Sequence, residues 1–100
     1  MELEEAKKQL RKFFGGKVLT FSIKEFNSSE WVAECNEIPA IITGGTGNNI
    51  TERDALIRDA IVVAAGIGSG FQNLLVFEGY KVPNGIFPFN ALTKAEYALR

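Results

Sequence analysis

The sequence predicts an α+β domain: a three-stranded antiparallel sheet packed on a helix, in α-β-β-β-α order, followed by an irregular C-terminal tail. Three observations predict it. A helical stripe over the first thirteen residues stops at Gly15-Gly16, apolar and polar residues alternate over 19–24 and 31–35, and a second helical pattern opens near Thr51. One hundred residues, 46% of them hydrophobic, suffice for a single core and a single domain, 1–100.

The first helix places Glu2, Glu4 and Glu5 in its opening turn and Lys7, Lys8, Arg11 and Lys12 behind them, the order a helix dipole favours. Leu3, Ala6, Leu10 and Phe13 or Phe14 form its apolar stripe. After the glycines, Leu19, Phe21 and Ile23 point one way and Thr20, Ser22 and Lys24 the other, the signature of a half-buried strand. Asn27-Ser28-Ser29 is turn chemistry, after which Trp31, Ala33 and Cys35 alternate against Val32 and Glu34. Asn36-Glu37 leads to a third strand over 38–43, with Pro39, which has no N–H to donate, at its start.

The second helix takes Thr51 as N-cap, with Asp54 three residues on, and pairs Asp54 with Arg58 on its exposed side. Leu56, Ala60, Val63 and Ala64 share one face, with Ile57 and Ile61 beside them. Residues 60–65 contain no polar side chain, so these last turns must be covered all round. A sheet covers one side only, and a second copy of the chain is the natural supplier of the rest. Ile61, Val62, Ala65, Phe71 and Leu75 are therefore the expected oligomer interface. Periodicity leaves 71–77 open between helix and strand, and Glu78-Gly79 reads as a stop. Residues 81–85 read as an extended piece and turn, 86–89 as an edge strand, and Thr93-x-x-Glu96 as the opening of a short last helix.

Composition narrows the function classes. Eleven Lys and Arg against 12 Asp and Glu leave a net charge of −1, which argues against nucleic-acid binding by bulk charge. The absence of histidine removes the commonest general base, the Ser-His and Cys-His pairs and the usual nitrogen metal ligand. Cys35 is the lone cysteine, so no intrachain disulfide forms, and a buried strand thiol in a reducing, cytoplasmic setting is expected. No apolar run approaches the ~20 residues of a membrane span. No metal, cofactor or catalytic group is expected.

Two segments invite a functional reading. Gly44 to Asn49, between a strand and a helix, is where phosphate cradles form, but it lacks the Lys-Ser/Thr ending of a P-loop. Glu30, Glu34 and Glu37 lie on or beside the second strand, where alternation turns Glu34 outward. Solvated carboxylates lack the separated pKa values that acid/base chemistry needs, so an acidic strip facing a basic partner is the better reading.

The residues Trp31-Val32-Ala33-Glu34-Cys35-Asn36-Glu37-Ile38-Pro39-Ala40-Ile41-Ile42-Thr43, then Thr51-Glu52-Arg53-Asp54-Ala55-Leu56, resemble the HicB-type antitoxin domain. That family reads aromatic-Val-Ala, a polar spacer, Glu-Leu-Pro-Gly, Ile/Val-Thr, a short turn and Thr-x-x-Glu-Ala opening a helix. Here Glu37-Ile38-Pro39 stands for Glu-Leu-Pro, and Glu78-Gly79-x-x-Val82-Pro83 is similar to the family's Glu-Gly-x-x-Ile-Pro ending. The likeness spans about residues 17–83, with Ala40 in place of the glycine and a longer loop at 44–49. It implies an antitoxin that masks a small, basic, mRNA-cleaving toxin of the HicA type. The family motif fixes no contact residues; Glu30, Glu34 and Glu37 are chosen by alternation and charge. The residues after Asn84 are too few for the DNA-binding domain many members carry, so DNA binding is not expected.

Three alternatives stand beside this reading. One is an orphan HicB-like regulatory or ligand-sensing module without a toxin. Another is an RNA-binding α-β-β-β-α domain, resembling the double-stranded-RNA-binding fold, which needs Lys7, Lys8, Arg11, Lys12 and Lys17 on one surface. That fold usually opens its final helix with Lys-Lys-x-x-Lys, where this chain has Asn49-Ile50-Thr51-Glu52-Arg53, so duplex RNA is disfavoured. The last is an enzyme built on the glycine loop and carboxylates.

Overall fold

The computed structural model describes residues 1–26, 30–47, 49–68, 70–81 and 93–99. Their order is α1 (Leu3–Phe14), β1 (Leu19–Phe26), β2 (Glu30–Cys35), β3 (Ile42–Thr46), α2 (Ile50–Ala64), a 3-10 turn at Gln72–Leu74, β4 (Leu75–Lys81) and β5 (Thr93–Leu99). The α+β class stands, but the sheet has five antiparallel strands in the order β3-β2-β1-β5-β4, in place of three. The turn expected at 27–29 and the turn and edge strand expected within 82–89 lie outside the described residues.

Pairing settles which side chains share a face, because directly opposed residues of an antiparallel ladder project the same way. Phe21 opposes Cys35 and Ala95, Ile23 opposes Ala33, Leu19 opposes Tyr97, and Leu75 opposes Leu99. These side chains meet both helices in one core, which takes Ala6, Leu10 and Phe14 from α1 and Ile57, Ile61 and Val62 from α2. Both helices therefore lie on the same side of the sheet. No described element covers the other side.

Three further expectations about the strands are corrected. Thr93-x-x-Glu96 opens no helix: 93–99 is β5, paired with both β1 and β4. Ala, Glu and Leu favour a helix locally, but burying Ala95 and Tyr97 between two strands overrides that preference. Glu78-Gly79 does not stop β4; the register shifts between Phe77 and Gly79, so Glu78 is the extra residue of a bulge. The third strand starts later than expected and includes Gly44 and Gly45. A Cβ at Gly44 would sit 2.8 Å from the Trp31 carbonyl oxygen, so the strand closes on β2 there only without a side chain.

Helix α2 is capped by Asn49 and not Thr51: the Asn49 side chain accepts from the N–H groups of Thr51 and Glu52 at 2.9 and 3.2 Å. It ends in a Schellman motif, with Gly66 at φ 77°, Gly66 N–H on Val63 O and Ile67 N–H on Val62 O. Its buried face is Arg53, Ile57, Ile61 and Val62, whereas Leu56 and Val63 are exposed. The expectation that the apolar last turns are covered all round is not met: Ile61, Val62 and Ala65 are buried, with Gln9 of α1 donating to Ala65 O at 2.7 Å, but Val63 and Ala64 are exposed. Ile61, Val62, Ala65 and Leu75 belong to this core and Phe71 packs half-buried against it, so the five residues expected at an oligomer interface form no exposed face of the monomer.

A polar network fastens the β4–β5 pair to α2. Tyr97 Oη donates to Asp54 Oδ1 at 2.7 Å, and Asp54 Oδ2 accepts from Arg58 Nε at 2.8 Å. Arg58 Nη1 donates in turn to the Gln72 and Leu75 carbonyls at 3.1 and 2.6 Å. The predicted Asp54–Arg58 pair thus forms, half-buried instead of solvated.

Candidate functional site

The sheet face that no described element covers is the candidate site. β2 contributes Glu30, Val32 and Glu34 to it, because Ser22 opposes Glu34, Lys24 opposes Val32 and Phe26 opposes Glu30. On the outer side Ile42 opposes Glu34 and Gly44 opposes Val32. β5 adds Lys94 and Glu96, opposite Ser22 and Thr20. Glu30 and Glu34 are exposed and four residues apart, so two intervening pleats bring both carboxylates to the same face of one strand. Exposed Ile42 and half-buried Val32 supply apolar surface beside them.

Glu37 does not join this strip. Its Oε1 accepts from the backbone N–H of Thr20 at 2.6 Å and lies 3.7 Å from Cys35 Sγ. Together with Asn36, whose N–H donates to Thr20 O and whose Oδ1 accepts from Ser22 Oγ, it pins the β2–β3 connection onto β1. Burial pushes the Cys35 thiol above its ordinary value, and the neighbouring Glu37 carboxylate adds to the rise while backbone hydrogen bonds oppose it. A buried thiol held protonated is a packing residue.

Among the described residues of the glycine segment, no anion cradle is formed. Gly44 and Gly45 are strand residues, and the Asn49 side chain occupies the amides of Thr51 and Glu52. Among the described residues, no group of three or more His, Cys, Asp or Glu is placed to hold a metal ion, and no helix is long and apolar enough to cross a membrane.

The basic residues of α1 project away from its buried stripe. Lys8 and Lys12 border a cleft of about 630 Å³ floored by Phe13 and Ala65, and Lys7 and Arg11 border a second of about 300 Å³. Arg11 also shares a third cleft with Lys17.

Sequence reasoning missed Arg53. It is 8% exposed, donates from Nη2 to Glu25 Oε1 at 2.9 Å and lies over the Trp31 ring at 5.2 Å, with its Nε unpartnered. An arginine in the first turns of an amphipathic helix reads as solvated, and only Glu25 and Trp31 from other strands make it a core residue. Comparison of the chain with protein-family models, with curated proteins and with solved structures returns no match.

Proposed function

We propose that the chain is a protein-binding domain of the HicB kind, which inhibits a small, basic, mRNA-cleaving toxin by covering it with the open face of its sheet. The observation that carries the reading is the placement of Glu30 and Glu34, exposed together beside Val32 and Ile42 on a face that no described element covers. Carboxylates around an apolar patch offer a cationic protein both steering and burial. The sequence resemblance over 17–83 supplies the identity of the partner. Glu37, whose Oε1 accepts from the Thr20 amide, is left out of the proposed contact set.

The test is co-expression with a short, basic protein of the HicA type, taken from an adjacent reading frame where one exists, followed by co-purification and an RNA-cleavage assay. A stable complex that silences cleavage supports the reading, and cleavage that proceeds in the presence of the chain refutes it. A second reading, RNA binding, is favoured by the outward grouping of Lys7, Lys8, Arg11 and Lys12 on α1. It predicts salt-dependent RNA binding that is lost on Lys8→Glu/Lys12→Glu and indifferent to Glu30 and Glu34.

A further inference from the structure

We propose that the outer edge of β3 pairs antiparallel with the same edge of a second copy, joining two sheets into one and setting the two α2 helices side by side. The two edges of the sheet differ. The β4 edge is disrupted by the bulge at Glu78, the kind of device that blocks strand addition. The β3 edge has an unbroken register from Ile42 to Thr46, with no bulge, no proline and no charged side chain.

The outward-facing backbone follows from the ladder. Cys35 N–H donates to Ile41 O, so Ile41 is turned toward β2, and alternation then turns Thr43 and Gly45 inward as well. Ile42, Gly44 and Thr46 therefore point their N–H and C=O groups away from the sheet. Two such edges, antiparallel about Gly44, set Ile42 against Thr46 of the other copy, so every outward-facing residue meets another. That register allows up to about six N–H···O bonds.

Exposed apolar side chains flank the edge on both sides. Ile42, 57% exposed, projects on the open face. On the helix side, Leu56 and Val63 are 41% and 60% exposed and share a stripe with Ala60 at i, i+4, i+7 spacing. This stripe borders β3, since a Cβ at Gly45 would lie 3.2 Å from Leu56 Cδ1.

The occupant is a second copy because the edge is uncharged. A basic partner gains nothing from it that Glu30 and Glu34 do not offer better, whereas an identical neutral edge meets its own kind without like-charge repulsion. The net charge of −1 sets no general barrier to self-association. The proposal stands on the edge and the α2 stripe, independently of the acidic strip.

Sedimentation equilibrium of the full chain from about 1 µM to about 300 µM tests it. The expected result is a monomer–dimer equilibrium whose Kd rises at least about tenfold in Ile42→Lys and in Val63→Lys, both exposed positions. Ile42→Glu combined with Thr46→Lys restores the Kd to within about threefold, since the register opposes these positions. Lys94→Glu, exposed on β5 three strands away from this edge, leaves it unchanged. A chain that stays monomeric throughout overturns the proposal, as does an unchanged Kd in Ile42→Lys or Val63→Lys. A dimer weakened by Lys94→Glu also overturns it, by placing the contact away from the β3 edge. Circular dichroism confirms that each variant keeps its fold.

Discussion

Tyr97→Phe removes one hydroxyl and leaves the ring in place. The ring is fully buried, edge-on to Phe21 at 5.9 Å, tilted to Phe77 at 5.5 Å and under Arg58 at 5.7 Å, and phenylalanine keeps all three contacts. What is lost is the 2.7 Å bond to Asp54 Oδ1. A hydrogen bond to a charged acceptor contributes about 1.5–3 kcal/mol, and the retained Arg58 keeps Asp54 partly satisfied, so a loss of about 1.5–2 kcal/mol is expected. For a domain of this size that is a fall in Tm of roughly 6–16 °C. Urea melts followed by circular dichroism give the difference, and a cycle with Asp54→Ala isolates the pair, with a coupling of about 1 kcal/mol or more. A loss below about 0.5 kcal/mol, or no coupling, would refute the claim that this network ties the β4–β5 pair to α2.

Other outcomes follow from the same structure. Ile61→Ala empties a fully buried site and costs about 2–4 kcal/mol, whereas Val63→Ala at low protein concentration costs under about 0.5 kcal/mol; chemical denaturation of both tests which face of α2 is inward. Gly44→Ala forces a Cβ against the Trp31 carbonyl and lowers stability by about 1–3 kcal/mol, where an unhindered strand glycine would gain from the change. Glu25→Gln strips the buried Arg53 of its ion-pair partner; because Glu25 is itself half exposed, the expected loss is about 1–2 kcal/mol by the same melts. Burial raises the Cys35 thiol in the folded state above the ordinary value of 9.0, so its contribution to stability is complete below that pH and declines as pH rises above it. Native Cys35 accordingly reacts with a thiol reagent at pH 8 far more slowly than the unfolded chain does.

The legible parts of the fold are those where a local pattern had a single solution. Leu19, Phe21 and Ile23, and Trp31, Ala33 and Cys35, alternate so strictly that only one face can go inward, and that same alternation put Glu30 and Glu34 on the other. Helix α2 is the opposite case: with apolar residues all round its last turns, periodicity carries no phase, and a buried arginine at 53 rotates the inward face away from Leu56 and Val63. β5 was hidden because Thr-x-x-Glu with Ala and Leu is helical by local preference, and its strand state depends on β1, some 70 residues earlier. Gly44-Gly45 reads as a loop until the approach of the Trp31 carbonyl shows why a strand needs glycine there. Glu37 was indistinguishable from its acidic neighbours in charge and spacing; the Thr20 amide that claims it lies on another strand.

The most direct measurement is a binding isotherm between the purified chain and a short, basic, mRNA-cleaving protein of the HicA type, with Glu30→Lys/Glu34→Lys run in parallel. Binding is expected to weaken with added salt and to fall by at least about tenfold in the double variant, while Glu37→Gln changes it by less than about twofold. No binding by the wild-type chain, or binding indifferent to reversal of both charges, would contradict the proposed function.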